Sequence, residues 1–199
     1  LSEIRGQITA SIAVVTAALG DSHLLSQLDN LTGSCIQALR GGYKVIFAGN
    51  GGSFADAQHL SAEFTSRFMF DRAPLPSVAL GTNSSAMSAI GNDYGYEQVF
   101  ARELQAIAVP GDVFIPISTS GNSPNILAAA ALAARNEIKT VAWSGRTGGR
   151  LKEHCECICV PATETARIQE CHILMGHILC GLIETEMFGA TRAAAGSPV

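Results

Sequence analysis

The sequence predicts an α/β protein, a three-layer sandwich with a central parallel sheet flanked by helices and an N-terminal helical extension. Three observations predict it. Short apolar runs recur at residues 44–48, 76–80, 112–117, 140–143 and 156–160. Helix-compatible segments separate most of them, and strands that alternate with helices pair in parallel with helices on both faces. Two of the runs end in turns suited to opening a helix, Gly49-Asn50-Gly51-Gly52-Ser53 and Ile117-Ser118-Thr119-Ser120-Gly121-Asn122-Ser123.

The elements follow in order. Residues 2–39 read as one long helix or two, with a break near Gly20-Asp21-Ser22, and Gly41-Gly42 ends the unit. Strand 44–48 leads to a helix over 54–68. A short strand at 76–80 precedes short helices near 84–90 and 96–106. Strand 112–117 leads to helix 124–135, and strand 140–143 to a turn over 145–149. A last strand spans 156–160 and a long final helix 166–188. No Pro/Gly/Ser linker interrupts this alternation and no repeat of fixed period is visible, so residues 1–189 read as a single domain. Its parts are N-terminal helices over 1–40 and an α/β core over 43–189, with a loose tail at 190–199.

With 199 residues, 47% hydrophobic and 15% charged, the chain can bury a real core, and disorder is not expected. The low charged fraction also hints that other subunits cover part of the surface. The net charge is −4 and no block of Lys or Arg occurs, which gives nucleic-acid binding little support. No apolar run reads as long enough to span a bilayer, because His177 interrupts the stretch at 173–183. The expected compartment is the cytoplasm. Six cysteines agree with it: Cys155, Cys157 and Cys159 alternate along an apparent strand, Cys35, Cys171 and Cys180 lie on helical patterns, and the spacing is unlike a zinc ribbon. They read as reduced, small apolar residues.

Ligands of parallel sheets sit at the carboxyl ends of strands, where both turns lie. A glycine-rich turn lets the backbone approach a ligand and aims helix N–H groups at an anion. Two such turns, rich in glycine and hydroxyls, point to a phosphorylated, polyhydroxylated ligand held between them. His59 and Glu63 are four apart and share a helix face. They are either an exposed polar pair or part of a site, and the apolar neighbours Ala55, Leu60, Ala62 and Phe64 indicate a largely covered helix. The final helix offers Arg167-Ile168-Gln169-Glu170, His172 and His177. Gln169 and His177 are separated by about 12 Å of helical rise, a span that two long side chains can close on one ligand. His177 lies in Leu174-Met175-Gly176-His177-Ile178-Leu179, where a histidine is by default a hydrogen-bonded core residue. Gly91-Asn92-Asp93-Tyr94-Gly95-Tyr96 has the composition of a loop. Arg67 is an anion contact or a solvated helix end.

Taken together, Gly49-Asn50-Gly51-Gly52-Ser53, Asp56-Ala57-Gln58-His59 with Glu63, Gly91-Asn92-Asp93, the serine-rich turn, and Arg167-Ile168-Gln169-Glu170 with His177 resemble the SIS (sugar isomerase) domain family, a flavodoxin-like fold. The resemblance runs over about residues 39–188. It implies an aldose–ketose isomerase that converts sedoheptulose 7-phosphate to D-glycero-D-manno-heptose 7-phosphate through an enediol, the first step toward bacterial heptose and lipopolysaccharide. It implies a homotetramer with active sites at subunit interfaces. Ser118, Thr119, Ser120 and Ser123 would bind the phosphate. Asn50, Gly51, Gly52, Ser53, Asn92, Asp93 and Gln169 would contact the sugar chain. Glu63 and His177 would form the acid/base pair, and His59, Glu63, Gln169 and His177 match positions through which some members bind zinc. Ala166 departs from an acidic residue seen in several members, and Glu164 is the nearby substitute. The alternative is a non-catalytic tetrameric member of the type that associates with a replication initiator. The joint presence of Glu63, His177 and an intact Gly-Asn-Gly-Gly-Ser turn favours the enzyme.

Overall fold

The computed structural model describes residues 1–194. The elements run α1 (Ser2–Leu19), α2 (Ser22–Arg40), β1 (Val45–Gly49), α3 (Gly52–Thr65), β2 (Ser77–Ala79), α4 (Ser84–Tyr94), α5 (Val99–Ile107), β3 (Val113–Ser118), α6 (Pro124–Arg135), β4 (Lys139–Ser144), β5 (Glu156–Cys159) and α7 (Thr165–Ala194). Single 3-10 turns, Tyr96–Gln98 and Gly149–Glu153, precede α5 and β5.

The five strands form one parallel sheet in the order β2-β1-β3-β4-β5. The chain winds one way from β1 and the other way from β3, so the carboxyl ends of these two neighbours flank the topological switch point. Ala48 lies opposite Pro116 and Gly49 opposite Ile117. The two turns singled out in the sequence therefore leave the sheet side by side.

The two-residue period of the strands divides the interior. Val45, Phe47, Val113, Ile115, Ile117, Val141, Trp143 and Ile158 pack against α2, α3 and α7. Ile46, Ala48, Phe114, Ala142 and Cys157 pack against α5 and α6. Burial on both faces is why these strands read as unbroken apolar runs rather than as alternating ones. The six cysteines are free thiols. Cys157 and Cys159 lie on β5 and Cys155 on the bend before it, all three on the α6 side.

Three expectations are corrected. The Gly91 cluster is not a loop: α4 runs through Tyr94, because Asn83 caps its start by accepting Ala86 N–H at 3.1 Å and no residue turns the chain until Gly95 at φ +88°. The last helix continues to Ala194, into the segment expected to be a loose tail, and residues 195–199 lie outside those described. The portion Thr165–Ala190 is, by length and composition alone, apolar enough to cross a bilayer, with a mean hydropathy of 1.3. Its contacts make it a core helix. Ile168, Cys171, Met175, Leu179 and Ile183 lie in the interior, and its Glu184 is paired with Arg72.

Candidate active site

Gly51 (φ +55°) is the cap of α3, and Gly121 (φ +66°) turns the chain after β3 against the carbonyl of Gly148. Side chains find both conformations hard to adopt. Neither α3 nor α6 has a side-chain cap. By contrast, Asp21 caps α2 and Asn83 caps α4. Inside the first turns most N–H groups are already used: Ser53 donates to Asn50 O, Phe54 and Ala55 to Gly51 O, and Ile126 to Asn125 Oδ1. The positive ends of the two helices therefore face the crevice mainly through their dipoles.

A reciprocal amide pair joins the two turns. Asn50 Nδ2 donates to Asn125 Oδ1 at 2.8 Å, and Asn125 Nδ2 donates to Asn50 Oδ1 at 2.9 Å. Tyr96 adds its hydroxyl to Asn50 Oδ1 at 3.2 Å. Asn125 was missed in the sequence. Its signal was an amide side chain directly after Ser123-Pro124, in the first turn of a helix beside a candidate phosphate turn; in the structure its Oδ1 also accepts Ile126 N–H at 3.0 Å. In the serine turn, Ser118 Oγ and Ser123 Oγ are 3.1 Å apart, one hydroxyl donating to the other. Ser120 Oγ accepts Asn122 N–H at 3.1 Å, which leaves its own O–H free to donate outward. From behind, Ser144 Oγ donates to the carbonyl of Ser118 at 2.7 Å.

A second cluster forms where α3 meets α7. His59 Nε2 is 2.9 Å from His177 Nε2 and 3.3 Å from Glu63 Oε1. The helical spacing of His59 and Glu63 accounts for one contact; the approach of α7 supplies the other. Phe68 stacks on the His177 ring at 5.5 Å and 27°. Histidine 177 is therefore not a lone core residue. Gln169 lies over the first turn: a Cβ on Gly52 would sit 2.6 Å from its Nε2. Asp56, one turn before His59, keeps a buried Oδ2 without a partner; burial raises its pKa and His59 opposes the rise. The Cys180 thiol is pushed up to about 12, first by burial and then by the Glu63 carboxylate.

The remaining residues lie apart from both clusters. Asn92 donates to Asp93 at 2.8 Å, and the two line a shallow depression with Ser84, Ser85 and Ser88. Arg67 is exposed after the end of α3. Arg167 and Glu170 dock α1 rather than a ligand: Arg167 donates to Gln7 O and Ser11 Oγ, and Ser11 Oγ donates to Glu170. Glu164 is exposed directly before α7, where its carbonyl accepts Ile168 N–H. A depression of about 570 Å³ lined by Phe54, Gln58, Met87, Gly91 and Tyr96 adjoins Asn50 through the Tyr96 hydroxyl, giving room for an extended ligand.

For a metal, the donors at the second cluster are right in type: two imidazole nitrogens and a carboxylate suit zinc. Two Nε2 atoms aimed at each other need a shared proton or a cation between them. Among the described residues, however, no three His, Cys, Asp or Glu side chains are preset to hold a metal ion. Some closure of the trio would have to accompany binding.

A family model described as SIS domain matches residues 10–145. The chain belongs to the SIS domain family. Within it the relatives are specific. The chain is 52% identical over 94% of its length, and 94% of the relative's, to phosphoheptose isomerase 2 of Campylobacter jejuni. The structure of a phosphoheptose isomerase from Francisella tularensis superposes with a TM-score of 0.88 at 33% identity, over 93% of this chain and 98% of that one. That from Neisseria gonorrhoeae gives 0.86 at 37%, over 92% and 98%. The chain groups with the phosphoheptose isomerases and is an enzyme, an isomerase of sugar phosphates.

Proposed function

We propose that the chain interconverts sedoheptulose 7-phosphate and D-glycero-D-manno-heptose 7-phosphate. One observation carries the reading: Glu63 and His177, from helices far apart in sequence, reach the same imidazole of His59. An aldose–ketose isomerase needs a base and a proton donor around adjacent carbons. The Glu63 carboxylate takes the proton from C1 of the ketose. The C–H electron pair becomes the C1=C2 bond of the enediol, and the carbonyl oxygen at C2 takes a proton. Return of a proton to C2 with loss of the O1 proton gives the aldehyde. His177 suits the oxygen-to-oxygen transfer near neutral pH. Ser118, Thr119, Ser120 and Ser123, at the positive end of α6, bind the phosphate without a lysine. This remote grip positions the reacting carbons. Asn50, Gly51, Gly52, Ser53, Arg67, Asn92, Asp93 and Gln169 serve the sugar chain; for Asn50 the Asn125 pair leaves one N–H available.

The same reading includes zinc, held by His59, Glu63 and His177 with the Gln169 amide. When bound, it supplies a Lewis acid that polarises the carbonyl. Glu63 faces His59 through Oε1, so its other oxygen is the one left for proton transfer. The reading also includes a homotetramer with sites at the interfaces. Ile4, Ile8, Ile12 and Leu19 form an exposed stripe on α1, and Leu174, Ile178 and Leu182 another on α7 beside His177. Contiguous exposed apolar stripes are the kind of surface on which subunits associate. Reduced thiols fit a cytoplasmic site of action.

The test is direct turnover. Purified protein is expected to convert sedoheptulose 7-phosphate to the aldose and to elute as a tetramer in light scattering. A folded, metal-replete tetramer without turnover would overturn the assignment and favour the non-catalytic alternative.

A further inference from the structure

Arg72, in the loop that follows α3, meets Glu184 of α7 behind the second cluster. Arg72 Nε lies 3.0 Å from Glu184 Oε1, with the side chains only 3% and 1% exposed. A buried ion pair is by itself weak evidence for stability, because desolvation offsets attraction. What this pair holds is more informative. Arg72 Nη2 donates to the carbonyl of Glu63 at 2.7 Å, and Nη1 to those of Phe64 at 2.7 Å and Ser66 at 3.1 Å. These are carbonyls that the end of a helix leaves without partners, and a cation there complements the helix dipole. Arg72 therefore caps the C-terminus of the helix whose last turn carries Glu63.

Glu184 does the complementary task. Its Oε1 accepts Phe68 N–H at 2.9 Å and its Oε2 accepts Met69 N–H at 2.7 Å. Phe68 is the residue whose ring stacks on His177. The ring also lies against α7, where a Cβ on Gly181 would sit 3.4 Å from it. Glu184 follows His177 by seven residues, about two helical turns, and so shares its face of α7. One ion pair thus ties together the backbone of the proposed base, the ring against the proposed acid, and the helix that carries that acid.

We propose that Arg72 and Glu184 are positioning residues for isomerisation: they fix the backbone at Glu63 and, through Phe68, the plane of the His177 imidazole, without touching substrate. The inference rests on the acid/base reading of Glu63 and His177. Misplacement by an ångström can cost about a hundredfold in rate, and a site is only as exact as the shell that supports it.

The test is Glu184→Gln, which keeps the shape but turns an amide NH2 toward one of the two backbone N–H donors. Expected is a fall in kcat per folded molecule of roughly 10- to 100-fold, with the folded fraction taken from circular dichroism at the assay temperature. KM and inhibition by inorganic phosphate are expected to stay within about twofold, since the serine turn lies beyond the pair's reach. In histidine-labelled protein, the His177 ring resonance, assigned by its loss in His177→Gln, is expected to move toward an unstacked value. A purely structural pair would leave kcat per folded molecule and this resonance unchanged, and that result overturns the proposal. Should Glu184→Gln not fold, Phe68→Leu is read instead; it spares the ion pair, and an unchanged kcat there overturns the proposal equally. If wild-type protein turns over no sedoheptulose 7-phosphate, the reaction assignment fails, while the resonance shift still tests the positioning.

Discussion

The serine turn and the His59 cluster are built in opposite ways. The serine turn is local: Ser118, Ser120, Asn122 and Ser123 bond to one another within one short stretch, and the backbone supplies the rest. The His59 cluster is tertiary: two residues of α3 meet one of α7, and a loop between them brings Phe68. On the proposed reading, local bonds shape the turn for a ligand's anion without help from the rest of the protein, and tertiary bonds place the groups that would act on its carbons. The difference predicts that changes at the first site act on KM and changes at the second on kcat. The largest effect follows at Glu63. Glu63→Gln keeps the size and the contact with His59 but removes the proposed base, so kcat is expected to fall roughly a thousandfold with the fold retained. A near-normal kcat with the correct melting temperature would reassign the base, and the unpartnered carboxylate of Asp56 would be the next to test.

The tie between the two regions runs through His172. It is fully buried on α7, and its Nε2 is 3.3 Å from the Ser144 carbonyl, while the Ser144 hydroxyl donates to Ser118 O. Burial drives its pKa from 6.5 down to about 4, with the Ser144 contact opposing. The folded state therefore refuses a proton that the unfolded chain accepts. Its contribution is intact above about pH 6.5 and is lost as pH falls from there through about 4. The loss amounts to at most about 3 kcal/mol. Urea denaturation between pH 7 and pH 4.5 is expected to show a shallower decline in His172→Gln than in wild type. Identical slopes would mean that other groups carry the acid sensitivity.

What the sequence disclosed follows the same division. The strands, the serine turn and the Gly49 turn were legible because period and turn chemistry are properties of adjacent residues. The pairing of His59 with Glu63 was legible from helical spacing. The approach of His177 was legible only through the family resemblance, since its apolar neighbours by themselves describe a core histidine and the packing of α7 on α3 is what brings it to His59. Arg72, Glu184 and Asn125 were invisible for a related reason: each acts on backbone or amide groups brought close by the fold. The loop expected at Gly91 failed because turn-forming residues are tolerated in a helix that a good cap starts and nothing stops.

Asn125 gives a smaller effect that crosses the division. It is 2% exposed, and its amide exchanges two hydrogen bonds with Asn50. Asn125→Ala removes both and frees the β1 turn from the β3 turn. A loss of about 1–3 kcal/mol in unfolding free energy is expected, together with a higher KM. A change in stability with no change in KM would show that the two turns hold their places independently.

The smallest effect tests how finely the serine turn is arranged. Ser120 Oγ accepts the Asn122 N–H, so its proton can only be spent outward, toward a ligand. One of the Ser118 and Ser123 hydroxyls donates to the other, so while that bond holds only the accepting one has a proton left for the same anion. The three hydroxyls are chemically alike but differ in what they have left to give. Ser120→Ala is accordingly expected to raise KM about three- to tenfold, one charge-assisted hydrogen bond, with kcat changed less than twofold. Ser123→Ala is expected to cost less, because Ser118 is then free to turn its proton to the phosphate. The reverse order of the two KM values would mean that the ligand rearranges the turn on binding, and that the local site is not organised in advance after all.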